Sequence, residues 1–202
     1  MLAAVAHDLR TPITTLRLRA EFVDEDTRIR MIETLDEMQA MAEAGLAFAK
    51  GDADSEPTHL TDLPALVESV VEDLADQGLD VVMEEGVERA VLPCRKGALR
   101  RALTNLVQNA TRYGGARVQV TRSGGDVCVT VDDDGPGILP ADLDRVFEPF
   151  VRLDPSRNHD TGGAGLGLSI ARSTVRAHGG DVRLENRAGG GLRAVVTLPC
   201  PK

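Results

Sequence analysis

Ala6-His7-Asp8-Leu9-Arg10-Thr11-Pro12 places a histidine beside an acid, with a threonine one helical turn further on. The run lies within an apolar periodicity. Leu2, Val5, Leu9, Ile13, Leu16, Ala20 and Val23 recur at steps of three or four, the spacing of one helical stripe. His7 sits two positions from Val5 and from Leu9, so it points away from that stripe toward solvent. Thr11 is i+4 from His7 and i+3 from Asp8, which lets all three share one exposed face. Asp24-Glu25-Asp26 interrupts the pattern, and Ile32, Leu35, Met38, Ala42, Leu46 and Ala49 make a second stripe. A two-helix hairpin of this length cannot bury both stripes by itself. Two hairpins paired as a four-helix bundle can, so the pattern predicts a homodimer through residues 1–50. Pro12, lacking the N–H that would bond one turn back, is expected to kink the first helix.

Gly51-Asp52-Ala53-Asp54-Ser55-Glu56-Pro57 is polar and breaker-rich, the composition of a linker, placed at 51–58. A second domain, 59–202, follows. Thr61 is expected to cap a helix from about Asp62 to Gln77, and Leu79–Met83 and Arg89–Leu92 read as short strands. A helix is expected over Lys96–Tyr113, then a hairpin of Arg117–Arg122 and Val127–Asp132. The charged stretch from Gly135 to Gly163 reads as loop. Leu166–His178 reads as a helix, and Asp181–Asn186 with Leu192–Leu198 as a closing hairpin turned by Gly189-Gly190-Gly191. Strand pairs interleaved with helices predict an α/β sandwich, one mixed sheet covered by helices on one face.

Composition narrows the function classes. Hydrophobic residues make up 42% of the 202 and aromatics only 2%, so the core must be aliphatic. A formal net charge of -9 argues against a nucleic-acid partner, which calls for a basic face. Cys94, Cys128 and Cys200 are scattered, odd in number and without metal-ligand spacing, and read as reduced thiols of a cytosolic protein. No apolar run approaches the ~20 residues of a membrane helix, so no membrane contact is expected of this segment. His59 and His178 read as structural, and His159 as solvent-exposed.

Four motifs carry the chemistry. An imidazole such as that of His7 is a usable nucleophile near neutral pH, and the adjacent Asp8 can orient the ring and take the proton lost in attack. Asn105 and Asn109, in Asn105-Leu106-Val107-Gln108-Asn109, are i and i+4 on one helix face, and their amide oxygens suit a hard cation such as Mg²⁺. Arg112 and Tyr113 extend that face, the first toward phosphate oxygens and the second toward a base or ribose. Asp133, in Asp133-Asp134-Gly135-Pro136-Gly137, follows the alternation Val127, Val129, Val131 and emerges at a strand end. A buried carboxylate there can accept from the exocyclic amine of adenine, while Gly135 and Gly137 let backbone approach a ligand. Gly163-Ala164-Gly165-Leu166-Gly167 opens a helix, where free backbone N–H groups suit phosphate. It is neither a Walker loop nor a dinucleotide fingerprint.

This order of motifs resembles the histidine kinases of two-component signalling, with their H, N, G1 and G2 boxes, and Phe147-Glu148-Pro149-Phe150 resembles the F box. The resemblance covers nearly the whole chain and is nearest in look to osmosensor-type kinases of proteobacteria. It implies a dimerisation and histidine-phosphotransfer domain followed by an ATP-binding domain of the Bergerat type, shared with gyrase, Hsp90 and MutL. His7 would then be the phospho-acceptor, Asp8 the assisting base and Thr11 the residue for dephosphorylating the partner response regulator's receiver domain. Asn109 would hold Mg²⁺, Asn105 would lie on the phosphates of ATP and Asp133 would read adenine. Ile138, Gly163, Gly165, Leu166 and Gly167 complete the nucleotide-contacting set. Arg152, in a lid expected over about Leu139–Thr161, would reach phosphate. Ala164 departs from the Thr or Ser frequent at its position.

The chain starts six residues before His7, so the expectation is the cytoplasmic portion of a sensor anchored in a bacterial inner membrane. Two readings compete with an autokinase that also acts as a regulator phosphatase. A gyrase- or Hsp90-type ATPase needs no histidine on a dimerising helix, and a scaffold without catalysis needs no intact Asn109, Asp133 and glycine boxes.

Overall fold

The computed structural model describes residues 12–25, 27–32, 34, 35, 38, 56–153 and 165–200. Residues 12–20 are helical, and after a turn the chain is helical again at 25, 27–32, 34, 35 and 38. The acids that break the first stripe also start the second helix. Thr27 N–H donates to Asp24 Oδ1 at 3.0 Å and Arg28 N–H to Asp24 O at 2.8 Å. The bond from Thr27 holds the Asp24 carboxyl below its ordinary range. Ile13, Ala20 and Leu35 are buried. The kink expected at Pro12 depends on the turn before it, and most of the expected hairpin lies outside the described residues.

From His59 onward the elements are β1 (His59–Asp62), α1 (Leu63–Asp76), β2 (Val81–Met83), β3 (Val91–Cys94), α2 (Lys96–Thr111), β4 (Ala116–Ser123), β5 (Asp126–Asp132), α3 (Gly167–Arg176), β6 (Asp181–Asn186) and β7 (Leu192–Pro199). Five strands form one sheet in the order β2-β4-β5-β7-β6. β2 runs parallel to β4 and the other pairs are antiparallel, so the sheet is mixed as expected. Strict alternation sends Val118, Val120, Val127, Val129, Val131, Ala194, Val196 and Leu198 to one face, where all are buried. α1, α2 and α3 pack there, and Leu66, Val70, Leu99, Leu103, Leu106, Ala171 and Val175 complete an aliphatic core. The opposite face carries Arg117, Gln119, Thr130 and Arg193, residues suited to solvent.

Three expectations change. Thr61 does not cap α1. It lies in β1, which pairs with β3 in a separate antiparallel ribbon, and its hydroxyl donates to His59 O. His59 opens that strand, four residues ahead of the helix. The helix starts at Leu63 behind Asp62, whose Oδ1 instead accepts the Ala90 N–H at 2.9 Å. The short strands lie two residues later than expected at their starts, at Val81 and Val91. α2 ends at Thr111, where Tyr113 N–H turns back to Ala110 O in a tighter turn. His178 is structural as read: its Nε2 accepts the Arg95 N–H at 3.0 Å while its Nδ1 faces Thr174 O at 2.7 Å, which sets the neutral Nδ1–H tautomer. The three cysteines are free thiols.

Candidate nucleotide site

The site is built at one end of the sheet, where β5 and β6 finish and β7 begins. Asp132 pairs with Arg193 across the ladder, so the next residue, Asp133, leaves β5 beside the start of β7. Its N–H donates to Leu192 O, and its Oδ1 accepts both the Leu192 N–H at 3.1 Å and the Gly135 N–H at 2.8 Å. Asp133 is 4% exposed. Burial raises its pKa, opposed by those two backbone donors and by Arg187. Oδ2 has no hydrogen-bond partner among the described residues. An aspartate held by one oxygen, with the other presented from a buried position, is an acceptor for a ligand donor.

The glycine box after Asp133 packs against the end of the asparagine helix. A Cβ on Gly135 would lie 2.7 Å from Tyr113 Cβ and 2.9 Å from Asp133 Oδ1, so only glycine admits this approach. Gly137 has φ +72°, and the loop is then fixed at Ile138. Asn186 Oδ1 accepts the Ile138 N–H at 2.9 Å and its Nδ2 donates to Ile138 O at 2.7 Å. On the other side, Gly167 opens α3 within van der Waals reach of Asn105, where a Cβ would lie 3.7 Å from Asn105 Cβ. Asn105 and Asn109 are half-buried on α2, while Arg112, Tyr113 and Arg152 are exposed. Gly165 has φ +69°, its carbonyl accepts the Phe150 N–H, and Leu166 is buried. The N, G1 and G2 segments thus converge. His7, Asp8, Thr11 and Gly163 lie outside the described residues.

The described part of the lid, 139–153, is not featureless loop. It holds 3₁₀ turns at Pro140–Asp142 and Arg145–Phe147. Phe147 is buried beneath the Arg172 guanidinium, 4.4 Å from the ring centroid, and Arg172 also reaches Asp144 and Asp181. The lid is thereby pinned to α3. Phe150 adopts φ 67° and stays exposed.

Several contributors escape sequence reasoning. Asn186 and Leu192 meet the site from β6 and β7, brought there by the sheet order alone. Asp134 is held by a bidentate pair with Arg117 (2.8 and 2.6 Å) and by Arg187 (2.9 Å), so its carboxyl stays well below the usual range. Arg187 also donates to Asp133 O at 2.7 Å and meets Asp132, which a bidentate Arg193 holds. Alternating charges along the solvent face thus brace the turn that carries Asp133. Their only sequence signal is an excess of Arg and Asp at strand ends.

Residues 95–202 match the family of histidine kinase-, DNA gyrase B- and HSP90-like ATPases. The chain belongs to that family. Among family members it is 40% identical to the sensor histidine kinase GtrS of Pseudomonas aeruginosa, over 98% of this chain and 41% of that protein. It is 35% identical to the sensor protein RstB of Escherichia coli, over 98% of this chain and 48% of that protein. The chain therefore spans less than half the length of these relatives. The structure of full-length ShkA in complex with AMPPNP superposes with a TM-score of 0.76 at 26% identity, covering all of this chain and 46% of that one. The histidine kinase domain of the Escherichia coli osmosensor EnvZ superposes with a TM-score of 0.57 at 30% identity, covering 74% of this chain and 92% of that one. The sandwich is the ATP-binding fold of the family.

Proposed function

We propose that this chain is the kinase core of a sensor histidine kinase, which transfers the γ-phosphoryl group of ATP to His7 and onward to an aspartate of a response-regulator receiver domain. The carrying observation is Asp133, buried at the sheet end with Oδ2 open, beside the glycine box that packs on Tyr113. ShkA is in complex with AMPPNP and GtrS is a sensor histidine kinase, which supports the same reading here. Asp133 accepts from the adenine amine, Tyr113 and Ile138 flank the base, and the N–H groups at the start of α3, with Asn105, Arg112 and Arg152, meet phosphate oxygens. Asn109 offers the hard oxygen donor suited to Mg²⁺, which when bound neutralises phosphate charge.

In the first step an imidazole nitrogen of His7 forms the N–P bond, the bond from Pγ to the ADP oxygen breaks, and Asp8 takes the imidazole proton. Thr11, one turn on, positions a water for the reverse duty, hydrolysis of the regulator's acyl phosphate. Residues 1–50 hold the homodimer, 51–58 link it to the ATP-binding domain, and the parent protein is anchored in a bacterial inner membrane. Among the described residues no helix is long and apolar enough to cross a membrane.

His7→Gln tests the central claim. Acid-labile phosphate on the chain should vanish while ATP affinity stays near wild type, and acid-labile phosphate persisting on the variant would place the acceptor elsewhere. Thr11→Ala should keep autophosphorylation and lose most regulator dephosphorylation; equal loss of both would make Thr11 a structural residue only.

A further inference from the structure

We infer that Glu56 is a positioning residue for phosphoryl transfer: from the stretch preceding β1 it clamps the start of α2, the helix that carries Asn105 and Asn109. The inference rests on the kinase reading above.

α2 begins badly by local criteria. Its N-cap is Arg95, which makes no side-chain cap bond, and its first turn contains no acid. A cation at a helix N-terminus opposes the macrodipole, and the first N–H groups need acceptors. The second helical residue, Gly97, has a poor propensity for such a place. Glu56 accounts for all three features. Its Oε1 accepts the Gly97 N–H at 2.6 Å and its Oε2 the Ala98 N–H at 2.9 Å, across 41 and 42 residues of sequence. A Cβ on Gly97 would stand 3.1 Å from both carboxylate oxygens, so the glycine makes room for the clamp. The bond from Gly97, then that from Ala98, with Arg101 and Arg95 nearby, keeps the Glu56 carboxyl below its ordinary range against the effect of burial.

The far end of the same helix forms the site. Gly97 and Asn109 are twelve residues apart, about 18 Å of rigid rise. α2 thus joins the point where the chain enters the ATP-binding domain to the asparagine face. His7 lies on the other side of the 51–58 stretch in sequence, and Glu56, held on α2, fixes the point from which the chain departs the ATP-binding domain toward the imidazole. A short tether with a fixed exit raises the productive encounter rate, and an unclamped one dilutes it.

The test compares wild type, Glu56→Gln, Glu56→Ala and the double variant Glu56→Ala/Lys96→Glu in the full chain, with radiolabelled ATP and Mg²⁺. Lys96→Glu gives α2 an acid in its own first turn, which restores the end charge without the tether. Turnover into acid-labile phosphate should fall roughly tenfold to a hundredfold in Glu56→Ala, the cost of a misplacement remote from the chemistry. ATP affinity should be unchanged, and Glu56→Gln, with one acceptor oxygen, should fall between. The double variant should regain melting temperature but not turnover. Turnover recovering together with melting temperature would overturn the inference, reducing Glu56 to a helix cap. Loss of ATP affinity in step with turnover would overturn it too, placing the effect in the nucleotide site. A wild-type chain that takes up no acid-labile phosphate would overturn the kinase reading, and this inference with it.

Discussion

Asp133 combines two roles in one side chain. Oδ1 ties the turn after β5 to β7 and to Gly135, and Oδ2 remains for a ligand. Asp133→Asn preserves the shape and one carbonyl oxygen but puts an amide where an acceptor was, either against the two backbone N–H groups or against the adenine amine. A mismatched polar contact of this kind costs ~1–3 kcal/mol, about tenfold or more in affinity. Titration of ATP against the two proteins should show that loss, and unchanged binding would remove Asp133 from base recognition. The raised pKa adds a pH signature. Because burial favours the neutral acid, protons reach Asp133 at a higher pH than an ordinary aspartate. A protonated Oδ2 is a donor facing a donor, so affinity is full above the raised pKa and declines as pH falls through it. Asp133→Asn has no such proton to gain, so its affinity should follow only the titration of the nucleotide itself. The same acid limb in both proteins would assign the pH dependence elsewhere.

At the level of elements, what could be read from sequence divides by where each pattern gets its cause. β4, β5 and β7 alternate strictly because one face is buried, and α3 shows its apolar side for the same reason. Those elements were legible. β1 was not, because His59-Leu60-Thr61-Asp62 shows no apolar alternation, and Thr-Asp ahead of an apolar run imitates a helix start. Its strand state comes from pairing with β3. The site divides likewise. Asp133, Gly135 and Gly137 announce a strand-end turn locally, whereas Asn186 lies 48 residues from the loop it fixes. Asn186→Ala tests that support. It removes both bonds to Ile138, each contributing ~0.5–1.5 kcal/mol. Melting temperature should fall by several degrees, and ATP affinity should fall less than in Asp133→Asn, since the acceptor oxygen itself survives. An unaltered affinity and melting temperature together would show that the loop is held by its packing alone.

For the whole molecule, the question is what covers the N-terminal helices. Phe22 is 89% exposed and Leu18 64%, the second on the helix over 12–20 and the first in the turn that follows it. Ile29 and Met38 are also exposed on the helical residues that follow. Single exposed apolar residues are ordinary, and the ATP-binding domain has them at Leu60 and Leu139, but several on one short pair of helices mark an interface. A second copy of the hairpin offers the matching surface for the stripe residues that stay exposed, Leu16, Val23 and Met38, because a two-fold axis brings the same stripe from each protomer to a shared core. The ATP-binding domain, by contrast, buries its own apolar sheet face under α1, α2 and α3 and has no such need. Sedimentation should therefore report a dimer for the full chain and a monomer for a fragment 55–202, cut ahead of Glu56 so that the cap of α2 is kept. A full chain that stays monomeric at micromolar concentration would overturn the bundle, and a dimeric fragment would move the interface onto the ATP-binding domain. The phosphorylation kinetics supply an independent check. If residues 1–50 hold the dimer, diluting the full chain through its dissociation range should lower turnover per chain when transfer is between protomers, and leave it unchanged when transfer is within one. The ATP affinity of the fragment should match that of the full chain, since every described contact of the nucleotide site lies between Tyr113 and Leu192 or on α2.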